Sequence, residues 1–120
     1  LSPDETKLYV ANSANATLMV YDLTETKLPI TAKLFYDFRK LVDESLSSQM
    51  PDGMDITNDG TLLVAGPDGV IVINPEAKHL GTIYTGKRTS NCVLSDDEKT
   101  LYATCDDYIL RIVLGYQMSD

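Results

Sequence analysis

The sequence has 120 residues, of which 10 are Lys or Arg and 18 are Asp or Glu, so the formal net charge is −8. This length fits one domain with a usable hydrophobic core. The negative charge argues against a nucleic-acid partner, because such binding depends on Lys and Arg neutralising phosphates, and it equally disfavours an anionic membrane surface. No apolar run approaches the roughly 18 residues of a membrane-spanning helix.

Short segments rich in β-branched and aromatic residues follow one another along the chain. Turn residues bound most of them, and this pattern is typical of β-strands. Several are nearly continuous apolar runs, which indicates burial on both faces. The one helix candidate, residues 40–47, is short, and we expect a loop or a single turn there. The predicted strands cover residues 7–11, 18–21, 32–37, 62–65, 70–73, 81–84, 101–104 and 109–113.

Three segments of the chain resemble one another, and they begin at Leu1, Ile56 and Leu94. Each contains a strand end, an acidic turn, a strand with Leu-Leu or Leu-Tyr, a short loop and a further strand. A unit of four strands in about 40–50 residues is typical of a β-propeller blade. The acidic turns contain Asp4, Asp59, Asp96 and Asp97.

We therefore predict an all-β fold, a β-propeller fragment of about two and three-quarter four-stranded blades. Residues 1–120 would form one partial propeller, with blade repeats at about 1–38, 52–86 and 90–115. Closed propellers contain about four to eight blades. The chain is therefore expected either to be a piece of a longer protein or to complete its ring by association.

The reactive side chains favour no familiar catalytic or zinc pattern. Cys92 and Cys105 are too few for a disulfide framework and have no zinc-site spacing, so we expect two buried free thiols. The single histidine, His79, has no readable partner base or nucleophile, and no Gly-x-Ser-x-Gly motif is present. A serine hydrolase is therefore not indicated.

The string Met50-Pro51-Asp52-Gly53-Met54-Asp55 stands directly before the predicted innermost strand of the second blade. A carboxylate followed by Gly at that point would project into the central channel. Chain ends of several blades converge there, and a cation could collect oxygen ligands from each. We expect Asp55 to face away, into the sheet packing. Periodicity alone leaves open that Asp52 is an ordinary turn residue.

At these residues the sequence resembles the gluconolactonase/regucalcin (senescence marker protein) family of six-bladed propellers. The resemblance covers nearly the whole chain, and Pro-Asp-Gly-Met with a downstream Thr-x-Asn-Cys is its most specific part. The matching strings are Leu1-Ser-Pro-Asp-Glu-Thr-Lys-Leu-Tyr-Val, Val20-Tyr-Asp-Leu, Pro51-Asp-Gly-Met-Asp, Gly60-Thr-Leu-Leu-Val-Ala, Gly69-Val-Ile-Val-Ile-Asn-Pro, Leu80-Gly-Thr-Ile, Thr89-Ser-Asn-Cys and Thr100-Leu-Tyr-Ala-Thr-Cys.

The resemblance implies a metal-dependent lactonase acting on a sugar lactone or a related small ester. The family holds one divalent cation, calcium or zinc, through a Glu of the first blade, an Asn of a middle blade and the Asp of Pro-Asp-Gly. Asp52 matches that Asp, which is also the proposed base for the hydrolytic water. Under the same reading Gly53, Ser90 and Asn91 line the pocket.

Two of the three implied ligands fall outside this sequence. Their positions lie upstream of Leu1, and Ser90, which occupies the equivalent position in the third repeat, cannot replace a carboxylate. Since useful calcium sites need about 6–8 oxygens, we expect the 120 residues to be inactive by themselves. The alternatives are a non-catalytic propeller that binds a ligand or protein, and a ring closed by self-association.

Overall fold

A computed structural model describes residues 1–114, which form three antiparallel sheets and one short helix. The first sheet contains β1 (Lys7–Asn12), β2 (Thr17–Leu23) and β3 (Pro29–Asp37), followed by α1 (Arg39–Glu44). The second contains β4 (Met54–Ile56), β5 (Leu62–Gly66), β6 (Gly69–Ile73) and β7 (His79–Tyr84). The third contains β8 (Thr89–Leu94), β9 (Thr100–Cys105) and β10 (Tyr108–Val113).

The all-β prediction is confirmed, and each predicted strand is present. Within residues 1–114 the strands number ten, as one four-stranded sheet between two three-stranded sheets. Of β8 only the end, at Leu94, is predicted, because Thr89, Ser90 and Asn91 show no apolar run; the strand forms by pairing with β9. The last predicted repeat ends at residue 115, and residues 115–120 lie outside the described residues.

The repeated acidic turns share one hydrogen-bonding pattern. In each, a hydroxyl donates to the carboxylate two residues later and accepts a backbone N–H from the first residue of the next strand or the residue before it. These bonds favour the ionised acid, so the pKa of Asp4 falls to about 2, and the pKa values of Asp59 and Asp97 are also lowered. The donor and acceptor pairs are Ser2–Asp4 (2.7 Å), Thr57–Asp59 and Ser95–Asp97 (2.7 Å).

One position of this turn needs a left-handed backbone conformation. Gly60 occupies it in the second repeat with φ of 91°, whereas Glu5 and Glu98 occupy it in the others with φ of 57° and 60°. Such conformations are unfavourable for residues with a Cβ. Glu98 has a compensating contact, because its carboxylate accepts the N–H of Asn58 at 2.6 Å, which joins the second and third sheets.

The second sheet lies between the other two and is buried on both faces. Every residue of β5 and β6 is buried, as their continuous apolar sequence predicts. Alternate residues enter two separate cores. The core toward the first sheet includes Leu62, Val64, Ile71, Ile73, Leu18 and Phe38. The core toward the third sheet includes Leu63, Val70, Val72, Cys92, Leu101, Ala103 and Cys105.

The predicted state of the cysteines is confirmed, since both are buried free thiols. Desolvation, with a smaller contribution from the Asp55 carboxylate, raises the pKa of Cys92 to about 12. The outer two sheets present exposed apolar side chains, including Ile30 and Leu34 on β3 and Ile109 and Val113 on β10. No helix within residues 1–114 combines the length and apolar character that a membrane crossing requires.

Candidate functional site

Residues 46–53 lead from α1 to β4 without forming a helix or strand, and we refer to them as the Asp52 segment. Hydrogen bonds reach this segment from the first and second sheets. Ser13, in the turn between β1 and β2, donates its hydroxyl to the carbonyl of Pro51 at 2.8 Å. In the second sheet, the N–H of Asp52 donates to the carbonyl of Ala65 at 2.8 Å, and the N–H of Ala65 donates back to the carbonyl of Gly53 at 2.8 Å.

The third sheet contributes two further anchors. The N–H of Gly53 donates to the carbonyl of Ser90 at 2.9 Å. The buried side chain of Gln49 accepts the N–H of Thr89 at 2.8 Å and donates to the carbonyl of the same residue. The segment that carries Asp52 is therefore fixed to all three sheets by polar contacts.

The start of the segment is held by Asp68, in the turn between β5 and β6. Its carboxylate accepts the N–H groups of Leu46 at 3.1 Å and Ser47 at 2.9 Å, and its own N–H donates to the Ser47 hydroxyl at 3.0 Å. Partial desolvation acts to raise the pKa of Asp68, but the hydrogen bonds from Ser47 and Leu46 outweigh it and lower the pKa.

A polar cavity of about 440 Å³ opens beside the Asp52 segment. Asp52 and Ser90, both predicted site residues, line it together. Its walls carry hydroxyl, amide, guanidinium and carboxylate groups, with one methionine, which suits a hydroxylated small molecule better than an apolar one. The lining residues are Ser13, Ser48, Gln49, Met50, Asp52, Arg88, Thr89, Ser90 and Asp106.

The carboxylate of Asp52 is available to a ligand. Its side chain is exposed, and within residues 1–114 it accepts no hydrogen bond, although the backbone on both sides is anchored. Several other carboxylates near turns and sheet junctions accept hydrogen bonds from the protein. They include those of Asp4, Asp37, Asp55, Asp59, Asp68, Asp97 and Glu98.

Gly53 and Asn91 lie together, but neither is among the residues lining this cavity. A Cβ on Gly53 would stand 2.9 Å from Cα of Asn91 and closer still to its side chain, so the close approach of the Asp52 segment to β8 requires glycine. Asn91 instead lines a smaller cavity of about 130 Å³ on the third sheet, with Tyr102 and Ile109. The contact between Gly53 and Asn91 brings Asp52 and Ser90 close to each other.

Asp55 lies between the sheets, as the sequence indicates. Its Oδ2 accepts the N–H of Leu94 at 2.8 Å and its Oδ1 accepts the N–H of Ile56 at 2.8 Å. The two aspartates of the same short string therefore have different surroundings. Asp55 joins the second and third sheets, while Asp52 faces the cavity.

Sequence reasoning missed Gln49, Arg88 and Asp106 at the cavity. Arg88 directly precedes β8 and Asp106 directly follows β9, and the N–H of Asp106 donates to the carbonyl of Arg88 at 2.9 Å. Their positions at the ends of paired strands could have placed them beside Ser90. Gln49 offers no such signal, because it stands in a segment without periodicity.

The residues that the structure describes form no metal site by themselves. Within residues 1–114 there is no group of three or more His, Cys, Asp or Glu side chains placed to hold a metal ion. Asp52 offers a single carboxylate of the kind that calcium and other hard cations prefer.

Comparison with known proteins identifies relatives along most of the chain. Residues 1–106 match the family described as SMP-30/Gluconolactonase/LRE-like region. The sequence is 36% identical over 116 residues to a protein named gluconolactonase from Zymomonas mobilis subsp. mobilis. The aligned region includes 93% of this chain and 33% of that relative, so the chain spans about a third of the relative's length.

Solved structures show the same fold. A gluconolactonase from Xanthomonas campestris superimposes with a TM-score of 0.80 at 24% identity, covering 94% of this chain and 35% of that one. Regucalcin from Agrobacterium tumefaciens, described as a calcium-binding protein, gives a TM-score of 0.73 at 21% identity and covers 87% of this chain and 35% of its own. These similarities confirm the predicted fold class, a fragment of a β-propeller.

Proposed function

The chain belongs to the SMP-30/gluconolactonase/LRE-like family, and we propose that it forms part of a lactonase in which Asp52 binds a divalent cation and accepts a proton from water. The observation that best supports this role is the free carboxylate of Asp52 on a fixed backbone at a polar cavity. The proposed blade repeats, about 1–38, 52–86 and 90–115, put this carboxylate at the start of the middle blade.

The proposed substrate is a sugar lactone or a related small ester. A polyhydroxylated ring could exchange hydrogen bonds with the hydroxyls of Ser13 and Ser90, which lie on different sides of the Asp52 segment. Ser90 is partly held by Thr104, whose hydroxyl lies 2.8 Å from its own. Gly53 and Asn91, which do not line the cavity, act by fixing the distance between the Asp52 segment and β8.

Calcium or zinc is the proposed cation, and Asp52 is its proposed ligand in this chain. When bound, the cation would polarise the lactone carbonyl and lower the pKa of a coordinated water. The Asp52 carboxylate would take the proton from that water. A calcium site of useful affinity needs about 6–8 oxygen ligands, and a single carboxylate cannot supply them. We therefore propose that the 120 residues alone do not hydrolyse lactones.

The family assignment favours a lactonase over a non-catalytic scaffold. Closure of a ring by self-association remains a separate proposal, motivated by the exposed apolar side chains on the outer two sheets. Size-exclusion chromatography with light scattering and metal analysis of the main peak tests it. A metal-free monomer would argue against ring closure, and a compact dimer with one cation per ring would support it.

Calcium titration of the ¹⁵N-labelled chain, followed by NMR, tests the role of Asp52 directly. We expect weak binding, with a Kd of about 1 mM or higher, and chemical-shift changes centred on Asp52 and Ser90. Asp52→Asn should abolish these changes, whereas Asp106→Asn, which alters the other carboxylate at the cavity, should retain them. Shift changes that persist in Asp52→Asn would refute the proposed ligand.

A further inference from the structure

We infer that Gln49 is a positioning residue for Asp52, an inference that rests on the function proposed above. Gln49 stands in the segment between α1 and β4, yet the residue is only 7% exposed. Both polar atoms of its carboxamide are bonded to the main chain of Thr89, 40 residues further along the sequence.

These two bonds reproduce a main-chain pairing. In an antiparallel ladder, facing residues exchange one N–H and one C=O with each other. The Gln49 carboxamide offers the same donor and acceptor to Thr89, the first residue of β8. Within the described residues β8 is one of the two edge strands of the third sheet. Gln49 therefore extends that sheet from the edge that faces the Asp52 segment.

Asp52 lies in the sequence between two residues that are hydrogen-bonded to β8, and these two contacts anchor the segment. Gln49 is bonded to Thr89 on one side of Asp52, and Gly53 donates its N–H to Ser90 at 2.9 Å on the other side. With both anchors in place, Asp52 and Ser90 are held at the same cavity. Without the Gln49 anchor, the segment depends on the bond from Ser13 to Pro51 and on the bonds of Asp52 and Gly53 to Ala65 and Ser90. The Asp52 and Gly53 bonds then open more often, which moves the Asp52 carboxylate while the sheets stay packed.

A positioning role and a purely structural role predict different patterns of amide hydrogen exchange when Gln49 is replaced. If Gln49 only added to the stability of the whole molecule, its loss would accelerate exchange of the amides that open by global unfolding, those of β5 and β6 among them. If it positions Asp52, the amides of Asp52 and Gly53 open selectively. The buried strands β5 and β6 are held by apolar packing on both faces and serve as the internal reference.

Amide hydrogen exchange of the full 120-residue chain, followed by NMR, separates these patterns. Gln49→Met keeps nearly the same side-chain volume and removes both hydrogen bonds. Ser48→Ala is the matched control, because Ser48 lines the same cavity and its hydroxyl makes no hydrogen bond within residues 1–114. We expect exchange at Asp52 and Gly53 to accelerate about tenfold or more in Gln49→Met, with much smaller changes in β5 and β6 and in Ser48→Ala.

The inference is overturned if Asp52 and Gly53 exchange no faster in Gln49→Met than in Ser48→Ala, or if β5 and β6 accelerate by the same factor. If Gln49→Met does not fold, the wild-type chain still provides a test. The carboxamide protons of Gln49 and the N–H of Thr89 must then exchange slowly, and exchange at the rate of free groups would refute the contact. None of these measurements needs a cation or a lactone. The calcium titration tests the proposed function, so a failure of that function is distinguished from a failure of this inference.

Discussion

The second sheet and the Asp52 segment are stabilised by different interactions. In β5 and β6 every residue is buried, and side chains enter a core on each face. The Asp52 segment has no regular structure and is held by hydrogen bonds from all three sheets. Apolar packing therefore builds the scaffold, while long-range polar contacts place the candidate catalytic group. The two regions should respond differently to substitution.

The largest effect is expected from truncating a side chain in the second sheet. Leu63 is fully buried in the core toward the third sheet, so Leu63→Ala should destabilise the chain by about 2–5 kcal/mol through lost burial and a cavity. Urea unfolding followed by circular dichroism measures the change. The control is Leu34→Ala, since Leu34 is 57% exposed and should change stability by no more than about 0.5 kcal/mol. Similar losses for both variants would contradict the assigned core.

A smaller effect is expected where the Asp52 segment meets the third sheet. Gly53→Ala would put a Cβ 2.9 Å from the backbone Cα of Asn91 and closer still to its side chain. The Asp52 segment and β8 would have to separate, at a cost of about 1–3 kcal/mol. Gly81→Ala is the matched control, because a Cβ on Gly81 meets nothing within 4 Å. Comparison of the two urea midpoints checks this prediction, and an unchanged midpoint for Gly53→Ala would contradict the close approach.

The same contrast explains how much the sequence could predict. Leu62 to Ile73 reads as strand, acidic turn and strand because apolar burial and glycine turns leave a local pattern. Asp52 could be singled out because it stands between Pro51 and Gly53 in a string that resembles a family motif. The pairing of Gln49 with Thr89 joins residues 40 positions apart, and no local pattern encodes such a contact. Arg88 and Asp106 reach the cavity for a similar reason, since β8 and β9 pair only in the folded chain.

The repeated turns permit a comparison at one backbone position. Glu5→Gly should stabilise the chain by about 0.5 kcal/mol or more, because glycine adopts the left-handed conformation without a Cβ penalty. Glu98→Gly relieves the same strain but loses the bond from Asn58 to the Glu98 carboxylate. We expect it to stabilise less than Glu5→Gly or to destabilise. Thermal and urea unfolding of both variants test the order, and a larger gain for Glu98→Gly would contradict it.

The smallest effect concerns the carboxylates of the same turns. The pKa values of Asp4, Asp59 and Asp97 are lowered in the folded state, that of Asp4 to about 2. A lowered pKa means that the ionised acid favours folding above the unfolded pKa of about 3.9 and that this contribution disappears as the pH falls toward about 2. Asp4→Asn and Asp97→Asn should therefore lower stability slightly at pH 7 and make the loss of stability between pH 4 and pH 2 smaller.

Asp96→Asn is the control, because Asp96 is exposed and its carboxylate accepts no hydrogen bond within residues 1–114. Urea midpoints across this pH range test the difference: a slope as steep in Asp4→Asn as in Asp96→Asn would show that the turn bonds do not hold the carboxylate in its ionised form. The acid sensitivity of the scaffold would then come from other carboxylates, such as Asp68, whose pKa is lowered by hydrogen bonds from Ser47 and Leu46.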